Sequence, residues 1–225
     1  MTSTTTRAYR GLAAEQRVAD RRERLLATAL ELFARQGYAR TPIETLCAEA
    51  KVTARHFYQL FASREALLEA LYDGIIQELR EAVLAAVSMP GLTLDEQIPL
   101  GVQAMVSHYL DDARRARVGV LEVVGVSAAM EQRRRAAIHD IAAIIEAYMM
   151  NLAARGELPA RNYHLVSVAL VGGINELLAD WLTVPEPPTT AQLSAEVIDI
   201  LNALIRGASL VGRDAGAPSQ QESTT

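Results

Sequence analysis

The sequence predicts an all-α protein of about nine helices. Half of its 225 residues are hydrophobic, yet only 5% are aromatic, and the apolar residues are mostly Ala, Leu, Val and Ile. Apolar residues recur at steps of three and four, which is the spacing of an amphipathic helix. Gly and Pro fall mainly between these periodic segments, where they separate helices.

Capping signals place the first two helices. The first is expected from about residue 13 to 36 and ends at Gly37, where a left-handed residue is usual. The second opens at Thr41, which can cap the free amides, and Pro42 suits the first turn. Glu44 would complete a capping box with Thr41.

The later helices follow the same signals. Thr53 is expected to cap a third helix to about Leu60, and Ser63 a fourth to about Val87. Pro99 should kink the fifth helix or mark its start. The remaining apolar periodicity predicts five helices, near 94–110, 112–124, 128–155, 162–183 and 190–208.

Charge is distributed unevenly along the chain. Residues 1–64 hold 11 Lys and Arg against 6 Asp and Glu, whereas residues 65–225 hold 11 against 21. A basic first part on an acidic body suggests a polyanionic partner, although a chance fluctuation of a few charges is an alternative. The single cysteine, Cys47, is expected to be a small buried hydrophobe.

Composition also limits the class of protein. One thiol and four scattered histidines indicate no metal site and no cofactor. The N-terminus lacks the apolar core of a signal peptide, and no apolar run reaches the ~20 residues of a membrane span. We therefore expect a cytoplasmic protein with no membrane partner.

The stretch "TPIETLCAEAKVTARHFYQLF", residues 41–61, predicts two short helices joined by a turn. In a helix-turn-helix, the second helix lies in the DNA major groove. Arg55, His56 and Tyr58 would then face DNA, while Phe57 and Phe61 face inward. The alternative is an ordinary helical hairpin with a solvated polar face.

Residues 24–72 resemble the DNA-binding domain of the TetR family of transcriptional repressors. The segments "LFARQGY" and "FYQLFASREALL" match the family pattern in order and spacing. The resemblance implies that double-stranded DNA is the partner. The DNA contacts that it implies are Thr41, Thr53, Ala54, Arg55, His56, Tyr58 and Arg64.

Lys51 departs from the family pattern, which usually has glycine in the turn between the two helices. Lysine in a left-handed conformation costs on the order of 1 kcal/mol. Lys51 is also the only lysine in the chain. We count it as a candidate DNA contact, with a tolerated surface residue as the alternative.

The resemblance further implies a C-terminal domain that dimerises and binds a small effector. Residues 162–182 and 191–205 are apolar on more than one face, so they can pack both on their own core and on a second subunit. Intrachain packing is the alternative. The candidate dimer residues are Gly172, Leu178, Trp181, Val197, Leu201 and Leu204.

An effector pocket should combine apolar and aromatic side chains with a few polar groups. Each candidate can equally be plain core, but Asn175 lies in an apolar stretch and its amide needs a partner. The candidate ligand residues are Met105, His108, Tyr109, Val120, Val124, Ile145, Tyr148, Met149, Leu152 and Asn175.

These observations predict four regions. A flexible basic arm with the start of the first helix (1–19) precedes the helix-turn-helix domain (20–66). A ligand-binding and dimerisation domain (67–211) and a disordered tail (212–225) follow.

The predicted function is a homodimeric TetR-like repressor that a small molecule releases from a palindromic operator. One alternative is a helical regulator without a small ligand, controlled by a partner protein. A second alternative, a small helical enzyme that keeps the helix-turn-helix as scaffold, is disfavoured because no catalytic cluster is found.

Overall fold

The computed structural model describes residues 4–214, with side chains described at 15–93 and 96–207. This part of the chain contains nine α-helices and no strand, which confirms the all-α prediction. Residues 1–3 and 215–225, which hold most of the predicted tail, lie outside the described residues. The helices are α1 Thr4–Gln36, α2 Ile43–Ala50, α3 Ala54–Leu60, α4 Arg64–Val87, α5 Leu94–Leu110, α6 Ala113–Ala116, α7 Ala128–Ala154, α8 His164–Thr183 and α9 Thr190–Asp214.

The outer ends of the chain are more helical than predicted. α1 begins at Thr4 rather than near Ala13, and α9 extends to Asp214 rather than ending near residue 208. Residues 4–24 contain six Arg and four Ala, which favour helix, and they contain no proline. The polar composition that suggested an irregular start is therefore compatible with a solvated helix.

The sixth predicted helix is not a continuous α-helix. Its four α-helical residues continue as a π-helix over Arg117–Glu122. Val118, Gly119 and Val120 are buried in this segment, and β-branched residues and glycine weaken an α-helical ladder. Pro99 lies inside α5 and does not mark its start.

The chain divides into two compact units, and it passes from one to the other within α4, α5 and α7. The first unit comprises residues 1–79 and 108–131, and the second comprises 80–107 and 132–225. The boundary expected between residues 66 and 67 also lies in α4 and stays a prediction.

Each unit has its own buried core. In the first, Phe33, Leu46, Phe57 and Leu67 are fully buried, which confirms the predicted inward face of α3. In the second, the buried cluster comprises Met149, Leu152, Leu158 and Tyr163. The partly buried residues packed against it are Ile145, Tyr148, Ala153, Val166 and Ile205.

α8 is more apolar than its burial explains. By length and composition alone it could cross a membrane, with a mean hydropathy of 1.5, so the expectation that no segment qualifies is wrong. Only 22% of its most apolar window is buried within the chain. Most of its other apolar residues are partly buried, whereas Leu165 is 79% exposed.

Candidate functional site

Lys51, Val52 and Thr53 form the turn between α2 and α3. Lys51 lies in the left-handed region, with φ 54° and ψ 45°, which is the conformation in which a lysine is strained. Its N–H donates to Ala48 O at 3.2 Å, and the N–H of Val52 donates to Cys47 O at 3.0 Å. These bonds close the end of α2, so the backbone adopts the turn although lysine is strained there.

Thr53 caps the start of α3, as predicted. Its Oγ1 accepts a hydrogen bond from the N–H of His56 at 3.4 Å and lies 3.0 Å from Nδ1 of the same residue. The hydroxyl therefore satisfies a free amide of the first turn and also orients the imidazole. Because Nδ1 faces Thr53, a base contact by His56 must come from Nε2.

One face of α3 is exposed and the opposite face is buried. The exposed residues are Ala54, Arg55, Tyr58 and Gln59, at positions that share one side of the helix, and 58% of Tyr58 is accessible. Phe57 on the opposite face is fully buried. The helix is thus anchored by its inner face while guanidinium, phenol and amide groups project outward. Such groups read base edges and contact phosphates.

Thr41 does not have its predicted role. Its side chain is fully buried, and Oγ1 donates to Gly37 O at 2.8 Å and accepts from Gln36 Nε2 at 3.1 Å. The N-cap of α2 is Pro42, without a side-chain cap, so the predicted capping box with Glu44 is wrong. A buried, hydrogen-bonded hydroxyl cannot reach a phosphate, so Thr41 is no longer a DNA candidate.

Arg64 is also engaged within the chain. Its guanidinium donates to Thr41 O at 3.0 Å and to Ala39 O at 3.4 Å. It lies 4.3 Å from the ring centroid of Tyr38. We therefore reassign Arg64 from phosphate contact to a residue that holds the turn before α2.

Two cations and one amide were missed by the sequence analysis. Arg22 lies 5.7 Å from the ring centroid of Phe61, at the end of α3. Arg40 is exposed in the turn before α2. Gln59 shares the exposed face of α3 with Arg55. The basic excess of residues 1–64 was the available signal, but charge counts alone do not locate a side chain.

The fold of this region matches a known domain. The model of the family described as "Bacterial regulatory proteins, tetR family" matches residues 25–71, which include α2, the turn and α3. The DNA-binding region of this chain, residues 25–71, belongs to the TetR family.

Relatives over a longer span are named as regulators. Two proteins of Pseudomonas putida, probable HTH-type transcriptional regulator ArpR and HTH-type transcriptional regulator TtgR, are each 25% identical over 176 residues. Each alignment covers 73% of this chain and 81% of the relative. These relatives are not enzymes, and this TetR-family chain is a DNA-binding transcriptional regulator.

Solved structures show the same fold over most of the chain. The fatty acid degradation regulator FadR from Bacillus halodurans has a TM-score of 0.73 at 15% identity, covering 80% of this chain and 94% of that one. FadR from Bacillus subtilis, solved in complex with stearoyl-CoA, has a TM-score of 0.69 at 18% identity, covering 82% and 98%. At these identities the likeness shows the fold alone.

The predicted ligand residues of this TetR-family chain fall into both units. His108, Tyr109, Val120 and Val124 belong to the first unit, and the other six belong to the second. Val124 is 57% exposed, so the expectation that it lines an enclosed pocket is wrong. Met105, Ile145, Tyr148 and Asn175 are partly buried, and Met149 and Leu152 are fully packed core residues.

His108 is the most distinctive of these residues. It is 8% exposed, and its Nε2 atom is buried without a hydrogen-bond partner among the described residues. Burial and the nearby Arg115 lower the pKa of His108, against a smaller opposing effect of Glu78. Burial also raises the pKa of the neighbouring Tyr109 hydroxyl. Both side chains are therefore held neutral at physiological pH.

The predicted dimer residues separate into inner and outer positions. Leu178 and Val197 are each 2% exposed, so the expectation that they lie on an outer face is wrong. Leu204 is exposed, while Gly172, Trp181 and Leu201 are partly exposed. Periodicity showed that α8 and α9 are apolar on more than one face, but only packing decides which residues face the core.

Proposed function

We propose that this TetR-family regulator is a homodimeric repressor that binds a palindromic operator and is released by a small-molecule effector. The observation that carries the proposal is the outward face of α3. Arg55, Tyr58 and Gln59 project from a helix that buries Phe57 and is capped by Thr53. This arrangement presents recognition groups on a rigid element, as groove reading requires.

A palindrome requires two recognition helices about 34–36 Å apart, and therefore two subunits. The second unit offers apolar surface for that association. Both α8 and α9 leave a stripe of small and apolar side chains accessible at helical spacing. The exposed residues are Leu165, Ala169 and Gly173 on α8, and Ile200, Ala203 and Leu204 on α9.

The glycines of α8 support this surface. A Cβ atom added at Gly172 or Gly173 would meet no atom within 4 Å in the chain. Close packing inside the subunit therefore does not require these glycines. Their absence of side chains would instead let the backbone of a second subunit approach. The interface that we propose is centred on Gly173 and Leu204.

The effector in this proposal is a small molecule with a large apolar part. The B. subtilis FadR neighbour was solved in complex with stearoyl-CoA, which makes acyl-CoA a concrete first compound to test. Among the candidate ligand residues of the second unit, Met105 and Ile145 are apolar, whereas Asn175 could orient a polar group. DNA and such metabolites meet in the cytoplasm, which is where we place the protein.

A second candidate is control by a partner protein. Met149 and Leu152, both predicted as ligand contacts, pack in the buried core cluster with Leu158 and Tyr163. Both side chains therefore contribute to the packed core of the second unit. That packing favours the second candidate over an effector contact at these two positions.

The experiment is a selection from random DNA, followed by release assays on the selected duplex. We expect a palindromic duplex, two protein chains bound, and release by stearoyl-CoA or by another compound from a metabolite panel. Ligand should weaken DNA binding by the same factor by which DNA weakens ligand binding. A non-palindromic selection would overturn the dimeric operator model, and release only by a lysate protein would support the second candidate.

A further inference from the structure

Glu122 lies against the turn between α1 and α2, although it is 84 residues away from Tyr38 in the sequence. Its Oε2 atom accepts a hydrogen bond from the backbone N–H of Tyr38 at 2.8 Å. Its Oε1 atom lies 3.8 Å from Nε of Arg117, and only 17% of the Glu122 side chain is exposed. The carboxylate is therefore placed specifically, and it is mostly removed from water.

The turn contacted by Glu122 sets the position of α2. Gly37 begins it with φ +91°, and a Cβ atom there would lie 3.3 Å from Oε2 of Glu122. The turn closes with a hydrogen bond from the N–H of Thr41 to Tyr38 O at 3.1 Å. Thr41 is followed directly by Pro42, the N-cap of α2. Displacement of Tyr38 would therefore displace the start of the helix-turn-helix.

Arg64 holds the same turn from the other side. It is the first residue of α4, three residues after the end-cap of α3 at Phe61. Its bonds to the carbonyls of Ala39 and Thr41 join the segment after α3 to the segment before α2. Glu122 and Arg64 thus fix the Tyr38 turn through its N–H, its carbonyls and its ring.

The position of Glu122 is poorly explained by stability alone. A carboxylate near the end of α1 meets the negative end of that helix dipole, which is unfavourable. The Tyr38 N–H and the guanidinium of Arg117, 3.8 Å away, are the compensating contacts, and a neutral amide oxygen could accept the hydrogen bond without the repulsion. We infer that Glu122 is a positioning residue for DNA recognition, which acts by fixing the Tyr38 turn and hence the start of α2. The inference rests on DNA binding by α3.

Two substitutions of Glu122 separate the effect of its side-chain length from the effect of its charge. Glu122→Gln keeps the length of the side chain and an acceptor oxygen, whereas Glu122→Asp keeps the charge but is one methylene shorter. We expect Asp to lower affinity for the selected duplex about tenfold or more, because its shorter side chain cannot reach the Tyr38 N–H and the turn is no longer fixed. The affinity of the Glu122→Gln variant for the same duplex should remain within about threefold of the wild-type value. Glu186→Gln, at an exposed loop position, is the matched control and should bind as the wild type does.

Salt dependence distinguishes positioning from direct contact. Removing one phosphate contact lowers the slope of log affinity against log salt by about 0.9. Glu122→Asp and Arg64→Ala should lose affinity with that slope unchanged, and circular dichroism should show both variants folded under the assay conditions. If either variant is unfolded, the Gln substitution still decides the matter, because a Gln variant that folds and binds more than about tenfold worse overturns the inference. Wild-type affinity in the Asp variant, or a slope change, also overturns it. Failure of DNA binding itself would instead appear as an absence of any duplex selected by the wild type.

Discussion

Oγ1 of Thr53 lies 3.0 Å from Nδ1 of His56 and also accepts a hydrogen bond from the N–H of that residue. One hydroxyl thus caps α3 and orients a side chain of its first turn. Stability of the helix and readiness for recognition are coupled at this pair.

Thr53→Ala should lower both stability and DNA affinity. Loss of an N-cap costs about 1 kcal/mol, and the freed imidazole of His56 should adopt several rotamers before binding. Urea unfolding and fluorescence anisotropy on the selected duplex measure the two effects. Thr53→Ser retains the hydroxyl and serves as the control, so equal losses in both variants would contradict the role of Oγ1.

Lys51→Gly should raise the free energy of unfolding by less than about 1 kcal/mol. The gain comes from removing Cβ strain at φ 54°, reduced by the extra freedom of glycine in the unfolded chain. Urea unfolding of Lys51→Gly and Lys51→Ala provides the comparison, because Ala keeps the strain. If Lys51→Ala gained as much unfolding free energy as Lys51→Gly, backbone strain at residue 51 would not be the cause. If Lys51 contacts phosphate, both variants should lose DNA affinity and show a smaller salt slope.

Leu204→Arg should yield monomers that remain helical. A charge on the proposed interface is solvated in the monomer but desolvated in the dimer, so it opposes association more than folding. Gly173→Leu should act likewise, because the added side chain has open space in the subunit but would separate two subunits. Sedimentation at micromolar concentration measures assembly. Met150→Arg, at another exposed apolar position, is the control and should stay dimeric; dimeric Leu204→Arg would place the interface elsewhere.

The buried histidine predicts a loss of stability on acidification. The pKa of His108 in the folded protein lies below its ordinary 6.5, because burial and Arg115 disfavour the charged ring. Above pH 6.5 the ring is neutral in both states; below it, the unfolded chain binds a proton first. The free energy of unfolding therefore falls as pH drops from 6.5 toward the folded-state pKa.

Urea midpoints at several pH values test this linkage. His108→Asn retains a donor for the carbonyl of Ile75, which the histidine also contacts, but it does not titrate. The variant should lose less stability than the wild type on acidification. His139→Asn, at an exposed position, is the matched control. If the urea midpoints of the wild type and of His108→Asn fall in parallel with pH, the acid-linked loss of stability does not come from His108.

Short-range features of the DNA-binding region were predictable from the sequence. The cap at Thr53, the cap at Ser63 and the left-handed Lys51 each depend on residues within about one helical turn. Phe57 could be placed inward because helical periodicity fixes its side of α3. Such features follow from local backbone chemistry, which the sequence displays directly.

Long-range contacts were not predictable in the same way. Thr41 and Arg64 are polar residues at helix starts, and local rules assigned both to phosphate. The guanidinium of Arg64 instead bonds the carbonyl of Thr41, 23 residues away, and Glu122 reaches Tyr38 across 84 residues. Likewise, hydrophobicity identified α9 as two-faced but could not tell buried Val197 from exposed Leu204. These distinctions depend on tertiary packing, which no local pattern encodes.

The central claim is that α3 reads DNA with its outward face. Equilibrium binding of the Arg55→Ala/His56→Ala variant to the duplex selected by the wild type tests it most directly. Arg155→Ala, at an exposed arginine of the second unit, is the control and should bind normally. The double variant should fold normally and lose about 1–3 kcal/mol of binding free energy. If Arg55 reads a base, the loss should be concentrated on few base positions of the duplex. Wild-type affinity and sequence preference in the folded double variant would contradict the placement of α3 in the groove.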